Sequence, residues 1–164
     1  MTRKVLMVDI EKCTGCRICE IACSLHNAKV CNPSKSRIHV LKWDRYGISI
    51  PLLCQQCETP LCEKVCPTKA TYRDTKTKAL LVNHDLCIGC RQCVMICPFG
   101  GSSWDAEEGI ILRCDLCKGD PVCVKLCPTG ALEYVTITKY ILLRKRESAG
   151  KISELVRRLV LAEG

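Results

Sequence analysis

The chain has 164 residues, a formal net charge of +8 at pH 7 and 17 cysteines, about a tenth of the total. So much cysteine is typical either of a secreted disulfide scaffold or of a metal-binding protein. The odd cysteine count and the short N-terminal apolar run, Val5–Val8, argue against secretion, and no apolar stretch approaches a membrane span. We therefore expect a soluble, cytoplasmic protein with no membrane association, whose cysteines bind metal.

Most of the cysteines form four groups of four along the chain. The groups are Cys13, Cys16, Cys19 and Cys23; Cys54, Cys57, Cys62 and Cys66; Cys87, Cys90, Cys93 and Cys97; and Cys114, Cys117, Cys123 and Cys127. Proline follows the fourth cysteine in every group except the first, where Ser24 stands. A pattern that recurs in this way indicates an internal repeat.

The spacing within a group is typical of cysteines that bind a [4Fe–4S] cluster. Three closely spaced cysteines wrap the chain around one corner of the cluster, and the fourth lies on a short helix that reaches the neighbouring cluster, as in two-cluster ferredoxins. Proline limits that helix, so the helix of the first group is expected to continue through Ile21, Ala22 and Leu25. The sequence predicts four [4Fe–4S] clusters bound by all the grouped cysteines. No open iron position remains, and we assign no catalytic residue.

Zinc and disulfide bonds are the alternatives for these cysteines. Structural zinc usually takes two well-separated cysteine pairs, which the groups do not provide. No cysteine is missing from any group, so His26, His39 and His84 have no vacant ligand position to fill. The cysteine outside the groups, Cys31, is expected to be a small buried apolar residue.

Basic residues near the cysteines have two interpretations. Arg17 and Arg91 occupy matching positions in the first and third groups, and Lys12 precedes Cys13. They are either solvated surface charges or cations that stabilise a reduced cluster. Four oxidised clusters with thiolate ligands contribute about −8, which accounts for the net positive charge of the chain. We expect no nucleic-acid partner, since two Trp, four Tyr and one Phe leave few stacking side chains.

Short strand-like runs lie between the cysteine groups. They cover Val5–Val8, Arg37–Lys42, Ile48–Ile50, Ala79–Val82, Ile110–Leu112 and Leu132–Thr136, and Asn32–Tyr46 is interpreted as a loop that enters a hairpin. The repeated order of strand, cluster loop, helix and strand predicts an α+β, ferredoxin-like fold. Because a single Phe and two Trp make a thin core, the chain without clusters should be largely unfolded.

The tail, residues 137–164, lies outside the repeat. Its segment Lys151–Glu163 is predicted to be an amphipathic helix, because apolar side chains recur at helical spacing on one face. The helix would pack on the protein's own sheet, dock on a partner subunit or bind a membrane surface.

The four groups, with longer gaps inside the second and fourth, resemble the four-cluster electron-transfer subunits of the dimethyl sulfoxide reductase, formate dehydrogenase and polysulfide reductase type over about residues 3–136. The resemblance implies two ferredoxin-like halves, each with two clusters, in a nested arrangement. One half would comprise residues 1–50 with 108–136, the other residues 51–107, and residues 137–164 would form a C-terminal extension. The implied ligand sets are Cys13, Cys16, Cys19 and Cys127; Cys114, Cys117, Cys123 and Cys23; Cys54, Cys57, Cys62 and Cys97; and Cys87, Cys90, Cys93 and Cys66.

The stretches Cys19-Glu-Ile-Ala-Cys23-Ser-Leu-His-Asn and Asn32-Pro-Ser-Lys-Ser-Arg-Ile most resemble the small subunits that accompany tungsten-containing aldehyde oxidoreductases. That resemblance implies a non-catalytic subunit that relays single electrons. Its partners would be a larger catalytic subunit with a tungsten- or molybdenum-pterin site and a ferredoxin or flavin-containing subunit. The alternatives are a free-standing soluble polyferredoxin and the electron-transfer subunit of a carbon monoxide dehydrogenase or hydrogenase.

Overall fold

Short strands and short helices alternate along the chain. A computed structural model describes residues 3–143, 145 and 150. The strands are β1 (Lys4–Val8), β2 (Ile38–Trp43), β3 (Ile48–Leu53), β4 (Thr71–Arg73), β5 (Leu80–Val82), β6 (Ser102–Asp105), β7 (Ile110–Arg113) and β8 (Leu132–Thr136). The α-helices are α1 (Ile18–Ala28), α2 (Leu61–Lys64), α3 (Gln92–Met95) and α4 (Val122–Lys125).

The strands form antiparallel pairs rather than one continuous sheet. β1 pairs with β8, β2 with β3, β4 with β5, and β6 with β7. The β1–β8 pair joins the two ends of the repeat, with Val5 opposite Val135 and both side chains buried. This mixture of short helices and small sheets is that of the predicted α+β class.

Helix α1 packs against α4, and α2 packs against α3. Helix α1 runs for 11 residues and ends at Lys29, which adopts the left-handed conformation. This length confirms the prediction made from the missing proline after Cys23. The buried carboxylate of Glu20 accepts a hydrogen bond from the backbone N–H of Val40 at 2.5 Å, which fixes α1 against β2.

Two strands, β4 and β6, were not predicted. They contain only three and four residues, and neither has the apolar alternation that identifies a strand in a sequence. Their buried residues Thr71 and Ser102 lie opposite Val82 and Arg113 of neighbouring strands, so pairing rather than local sequence defines them. The predicted hairpin is present as β2–β3.

The tail differs from the prediction where the structure describes it. Residues 137–143 are helical and follow β8 directly, whereas the sequence predicted a helix only later in the tail. That predicted helix, Lys151–Glu163, lies outside the described residues. Within residues 3–143, 145 and 150, no helix is long and apolar enough to cross a membrane.

A buried lysine connects the loop after α1 to the β6–β7 turn. The Nζ atom of Lys35 lies 2.7 Å from Asp105 Oδ2, 2.9 Å from Glu107 Oε2 and 3.3 Å from Glu108 Oε1. The Lys35 and Asp105 side chains are both buried, and the lysine holds the pKa of Asp105 below its usual value. Since each charge would be costly without the other, this ion pair fixes the loop in place.

Cysteine side chains form much of the hydrophobic core. Cys19, Cys23, Cys54, Cys114 and Cys123 are buried in one cluster together with aliphatic residues. The aromatic side chains contribute little to it, since Phe99, Trp43 and Tyr46 are exposed. The core is therefore arranged around thiols.

Gly101 allows two backbone segments to approach closely before β6. A Cβ atom on Gly101 would lie 2.6 Å from the Cα atom and 2.9 Å from the backbone nitrogen of Cys54. Backbone atoms cannot move aside as a flexible side chain can, so only glycine fits here.

We predict that Gly101→Ala destabilises the protein by about 1–3 kcal/mol, as expected for overpacking. Thermal unfolding of the anaerobically purified protein measures the change. Gly150→Ala is the matched control, because nothing lies within 4 Å of its added Cβ. Equal midpoints for Gly101→Ala and the parent protein would contradict the close approach.

Candidate metal centres

The first candidate centre, site I, combines cysteines from the two ends of the repeat. Three come from the loop before α1 and its first turn, and the fourth follows α4. The pairing of β1 with β8 and the packing of α1 on α4 bring these segments together. The cavity between them is also lined by Arg17, Thr129 and Ala131. Its cysteines are Cys13, Cys16, Cys19 and Cys127.

Site IV repeats this construction in the middle of the chain. Its cavity is lined by Arg91, Thr68 and Ala70, which stand where Arg17, Thr129 and Ala131 stand in site I. The space between the lining atoms is about 330 Å³ in each of sites I and IV, and this volume includes solvent at the cavity mouth. Two equal cavities with matching walls suit the same kind of occupant. The cysteines of site IV are Cys66, Cys87, Cys90 and Cys93.

Site II lies beneath α1. Its cavity is lined by Leu53 and by the thiols of Cys23, Cys114, Cys117 and Cys123. Two N–H groups point at the thiol of Cys23. The backbone of Arg37 donates at 3.3 Å, and the side-chain amide of Asn27 donates at 3.5 Å. Such donors stabilise a thiolate, which is the form that binds metal.

Site III comprises Cys54, Cys57, Cys62 and Cys97. Burial, with smaller contributions from the nearby thiols of Cys62 and Cys57, raises the pKa of Cys54 to about 11. Burial also raises the pKa of Cys62, with smaller contributions from Cys97 and Cys57. The backbone N–H of Gly101 donates to the Cys97 thiol at 3.3 Å, as Arg37 does for Cys23 in site II. The four cysteines are therefore grouped as a candidate site on these electrostatic effects.

Burial controls the protonation of the innermost thiols. It raises the pKa of Cys19 and of Cys123 to about 12, and it also raises the pKa of Cys114 well above its usual value. A buried thiolate without a counter-charge is costly, so these groups are either protonated or bound to a cation. A metal ion supplies that charge and displaces the proton.

Cys66 and Cys127 have thiols with the opposite tendency. Burial raises their pKa values, but hydrogen bonds from following backbone N–H groups and from the hydroxyls of Thr68 and Thr129 outweigh it, so each pKa lies below its usual value. Both residues precede a Pro-Thr pair. The repeated Cys-Pro-Thr sequence was available as a signal for these threonines, but our sequence analysis missed it.

The donor set fits an iron–sulfur cluster. Thiolates are soft ligands that bind zinc or iron–sulfur clusters. In the described part of the chain, no three His, Cys, Asp or Glu side chains converge closely enough to hold a single metal ion. Instead, four thiols surround a void in sites I, II and IV. A cubane cluster needs such a void, because its ligands attach at separate corners.

The sequence analysis also singled out Cys31, the three histidines and Lys12, which lie outside the cysteine groups. Cys31 is exposed, so the prediction that it is buried was wrong; it follows the end of α1, where no apolar neighbour covers it. His26 and His84 are exposed, and none of the histidines lines sites I, II or IV. Lys12 pairs with Asp9 at 3.0 Å.

Both arginines singled out in the sequence lie at a cavity. Arg17 lines site I and Arg91 lines site IV, and Arg91 also lies over the Trp104 ring at 4.5 Å from its centroid. Each begins a helix in the left-handed conformation with φ of 60°. The sequence analysis missed a third arginine near the thiols, Arg113, which is buried.

Comparison with known proteins agrees with this chemistry. A family model described as 4Fe-4S dicluster domain matches residues 46–137, and a second, 4Fe-4S binding domain, matches residues 10–27. A solved structure, the active site complex BamBC of benzoyl coenzyme A reductase, contains a polypeptide that is 26% identical, with a TM-score of 0.47 over 96% of this chain and 98% of that polypeptide.

Two curated relatives are similar over about two thirds of this chain. The aliphatic sulfonate oxidoreductase, polyferredoxin-like subunit of Pyrococcus furiosus is 41% identical over 109 residues, which is 66% of this chain and 62% of the relative. The second polypeptide of the anaerobic dimethyl sulfoxide reductase of Haemophilus influenzae is 33% identical over 119 residues, or 65% and 58%. The protein thus spans about three fifths of the length of these relatives. They confirm the predicted resemblance, and the matched model shows that the chain belongs to the 4Fe-4S dicluster domain family.

Proposed function

We propose that the chain is a non-catalytic electron-transfer subunit that holds four [4Fe–4S] clusters in sites I to IV. The observation that supports the proposal best is the lining of three cavities: in sites I, II and IV, three thiols of one group line the same cavity as the fourth of another. When bound, such clusters accept and release one electron at a time. With four cysteines for each cluster, no iron position is left for a substrate.

The proposed halves are those implied by the resemblance, residues 1–50 with 108–136 and residues 51–107. Strand pairing supports them, since β1 pairs with β8 in one half and β4 with β5 in the other. Helix packing agrees, because α1 contacts α4 and α2 contacts α3. We treat residues 137–164 as an extension of the first half.

We further propose that the four sites form a row in the order I, II, III, IV. Cys114 of site II and Cys54 of site III are buried in the same core cluster. Gln56 follows Cys54 by two residues, and its side-chain amide donates a hydrogen bond to the backbone carbonyl of Cys114 at 2.8 Å. At the two ends of the row, Cys16 of site I and Cys90 of site IV are exposed. The exposed ends are the places where partner proteins would exchange electrons with the chain.

The proposed partners are a larger catalytic subunit with a metal–pterin site, tungsten being the first choice and molybdenum the second, and a ferredoxin or flavin-containing subunit. The names of the relatives support a subunit role, since one is an oxidoreductase subunit and the other belongs to a reductase. A free-standing polyferredoxin remains the alternative, as does a subunit of a carbon monoxide dehydrogenase or hydrogenase. The cytoplasmic location remains a prediction from the sequence.

We predict that anaerobic preparations contain about sixteen iron and sixteen acid-labile sulfide per chain, with little zinc, because each of the four cubane clusters contains four iron and four sulfide. Metal analysis and sulfide assay measure this directly. About eight iron with stoichiometric zinc would contradict the presence of four clusters.

We predict that Cys127→Ser perturbs the same cluster signal as Cys19→Ser, since both side chains line site I. Cys66→Ser should likewise perturb the same signal as Cys93→Ser, since both line site IV. Electron paramagnetic resonance of the reduced protein distinguishes the signals. Cys31→Ser is the control and should retain full iron, because Cys31 lines none of sites I, II and IV. If Cys127→Ser instead affected the cluster perturbed by Cys123→Ser, the proposed ligand sets would be wrong.

The subunit role predicts that the chain, isolated anaerobically from its native host by a tag, co-purifies with a larger protein that contains tungsten or molybdenum. Mass spectrometry identifies the protein, and elemental analysis identifies the metal. A chain that runs alone in native extracts, with its clusters intact, would support the free polyferredoxin instead.

A further inference from the structure

Arg113 is a buried arginine that ends β7, directly before Cys114. Only 4% of its surface is exposed. Its Nε atom donates to Ser102 Oγ at 2.8 Å, and its Nη1 atom donates to Thr71 Oγ1 at 3.2 Å. Its Nη2 atom is buried and has no hydrogen-bond partner among the described residues. A buried charge with an unused donor is costly, so the position calls for a compensating anion.

The two anchors of Arg113 belong to the surroundings of two different sites. Thr71 and Cys66 both line site IV. Ser102 follows Gly101, whose backbone N–H donates to Cys97 of site III. The guanidinium therefore lies where the supports of sites III and IV meet.

The guanidinium of Arg113 thus places a positive charge beside the supports of both sites. Because arginine stays protonated in proteins, the charge is permanent.

The other half of the molecule has a leucine at the same place in the repeat. Groups two and four correspond, so the residue before Cys54, Leu53, is the counterpart of Arg113 before Cys114. Leu53 is 1% exposed and lines site II. The counterpart of Thr71, five residues after its cysteine, is Leu132, which is also buried. The surroundings of sites III and IV thus have a buried arginine and a buried threonine where those of sites I and II have two leucines.

We propose that the charge of Arg113 raises the reduction potentials of the clusters in sites III and IV above those of the clusters in sites I and II. This inference rests on the proposed function. Reduction of a site adds one electron and one negative charge, and a buried cation stabilises that charge strongly where the dielectric constant is low. One electron that leaves site II and arrives in site III changes the charge of each by one unit and needs no other reactant. At equilibrium, a single electron on the chain therefore lies in the half made of residues 51–107.

A purely structural role is the rival explanation, since the hydrogen bonds of Arg113 to Ser102 and Thr71 also join β7 to β6 and β4. A role of the charge and a role of these hydrogen bonds predict different effects of substitution. Arg113→Lys keeps the charge but loses the two-point anchor. Arg113→Gln keeps a hydrogen-bonding side chain but loses the charge. Arg113→Leu reproduces the residue found in the other half.

The test is a potentiometric titration of the full chain with its clusters, monitored by electron paramagnetic resonance. Arg113→Leu and Arg113→Gln should lower the midpoint potentials of two clusters and leave the other two unchanged. We expect at least a tenfold drop in the ratio of reduced to oxidised cluster at a fixed potential, which is 59 mV for one electron. Arg113→Lys should stay close to the parent. The two affected clusters should be those perturbed by Cys62→Ser and Cys93→Ser.

Two outcomes would overturn the inference. One is an unchanged set of four potentials in Arg113→Gln with full iron content, and the other is an equal shift of all four clusters or an equal shift in Arg113→Lys. If Arg113→Leu loses iron, the Gln and Lys variants decide the question by the same criteria. A parent protein with fewer than sixteen iron would contradict the proposed function instead, so the two failures are distinguishable.

Discussion

The proposed exchange of the fourth cysteine between groups is the constraint on which the rest of the structure depends. The fourth cysteine of a group is separated from the third by three residues and lies at the far end of a one-turn helix, as Cys127 does after α4. Its thiol lines the same cavity as thiols of a group that is distant in sequence. The pairing of β1 with β8 and the packing of α1 on α4 bring Cys127 to Cys13 and Cys19.

The same constraint explains a core with few large side chains. Where an ordinary domain of this size would bury aromatic rings, this chain buries thiols such as Cys114 and leaves Phe99 and Trp43 exposed. Their burial favours the protonated form, and metal binding reverses that preference. Hydrogen-bond donors aimed at sulfur, from Arg37 and Gly101, compensate further. Stability and metal binding are thus properties of the same side chains.

Much of the fold could be predicted from the sequence, because cysteine spacing and proline position act locally. The length of α1 follows from Ser24 in place of proline, and strands with an apolar pattern such as β8 were recognised. Strand β6 was not, because its existence depends on pairing with β7. Arg113 was missed for a similar reason, since its burial is set by strands that are distant in sequence. Cys31 was misjudged, because a cysteine alone does not reveal whether neighbours cover it.

The pairing of β1 with β8 has a consequence for the order in which the protein matures on the ribosome. The thiols of Cys13, Cys16 and Cys19 leave the ribosome early, but their companion Cys127 follows roughly 110 residues later, about 5–20 s at ordinary rates of synthesis. Sites III and IV, whose cysteines all lie between Cys54 and Cys97, become complete well before that. The nascent chain can therefore assemble sites III and IV first. Cys13, Cys16 and Cys19 must be kept from oxidation or premature metal binding until β8 emerges.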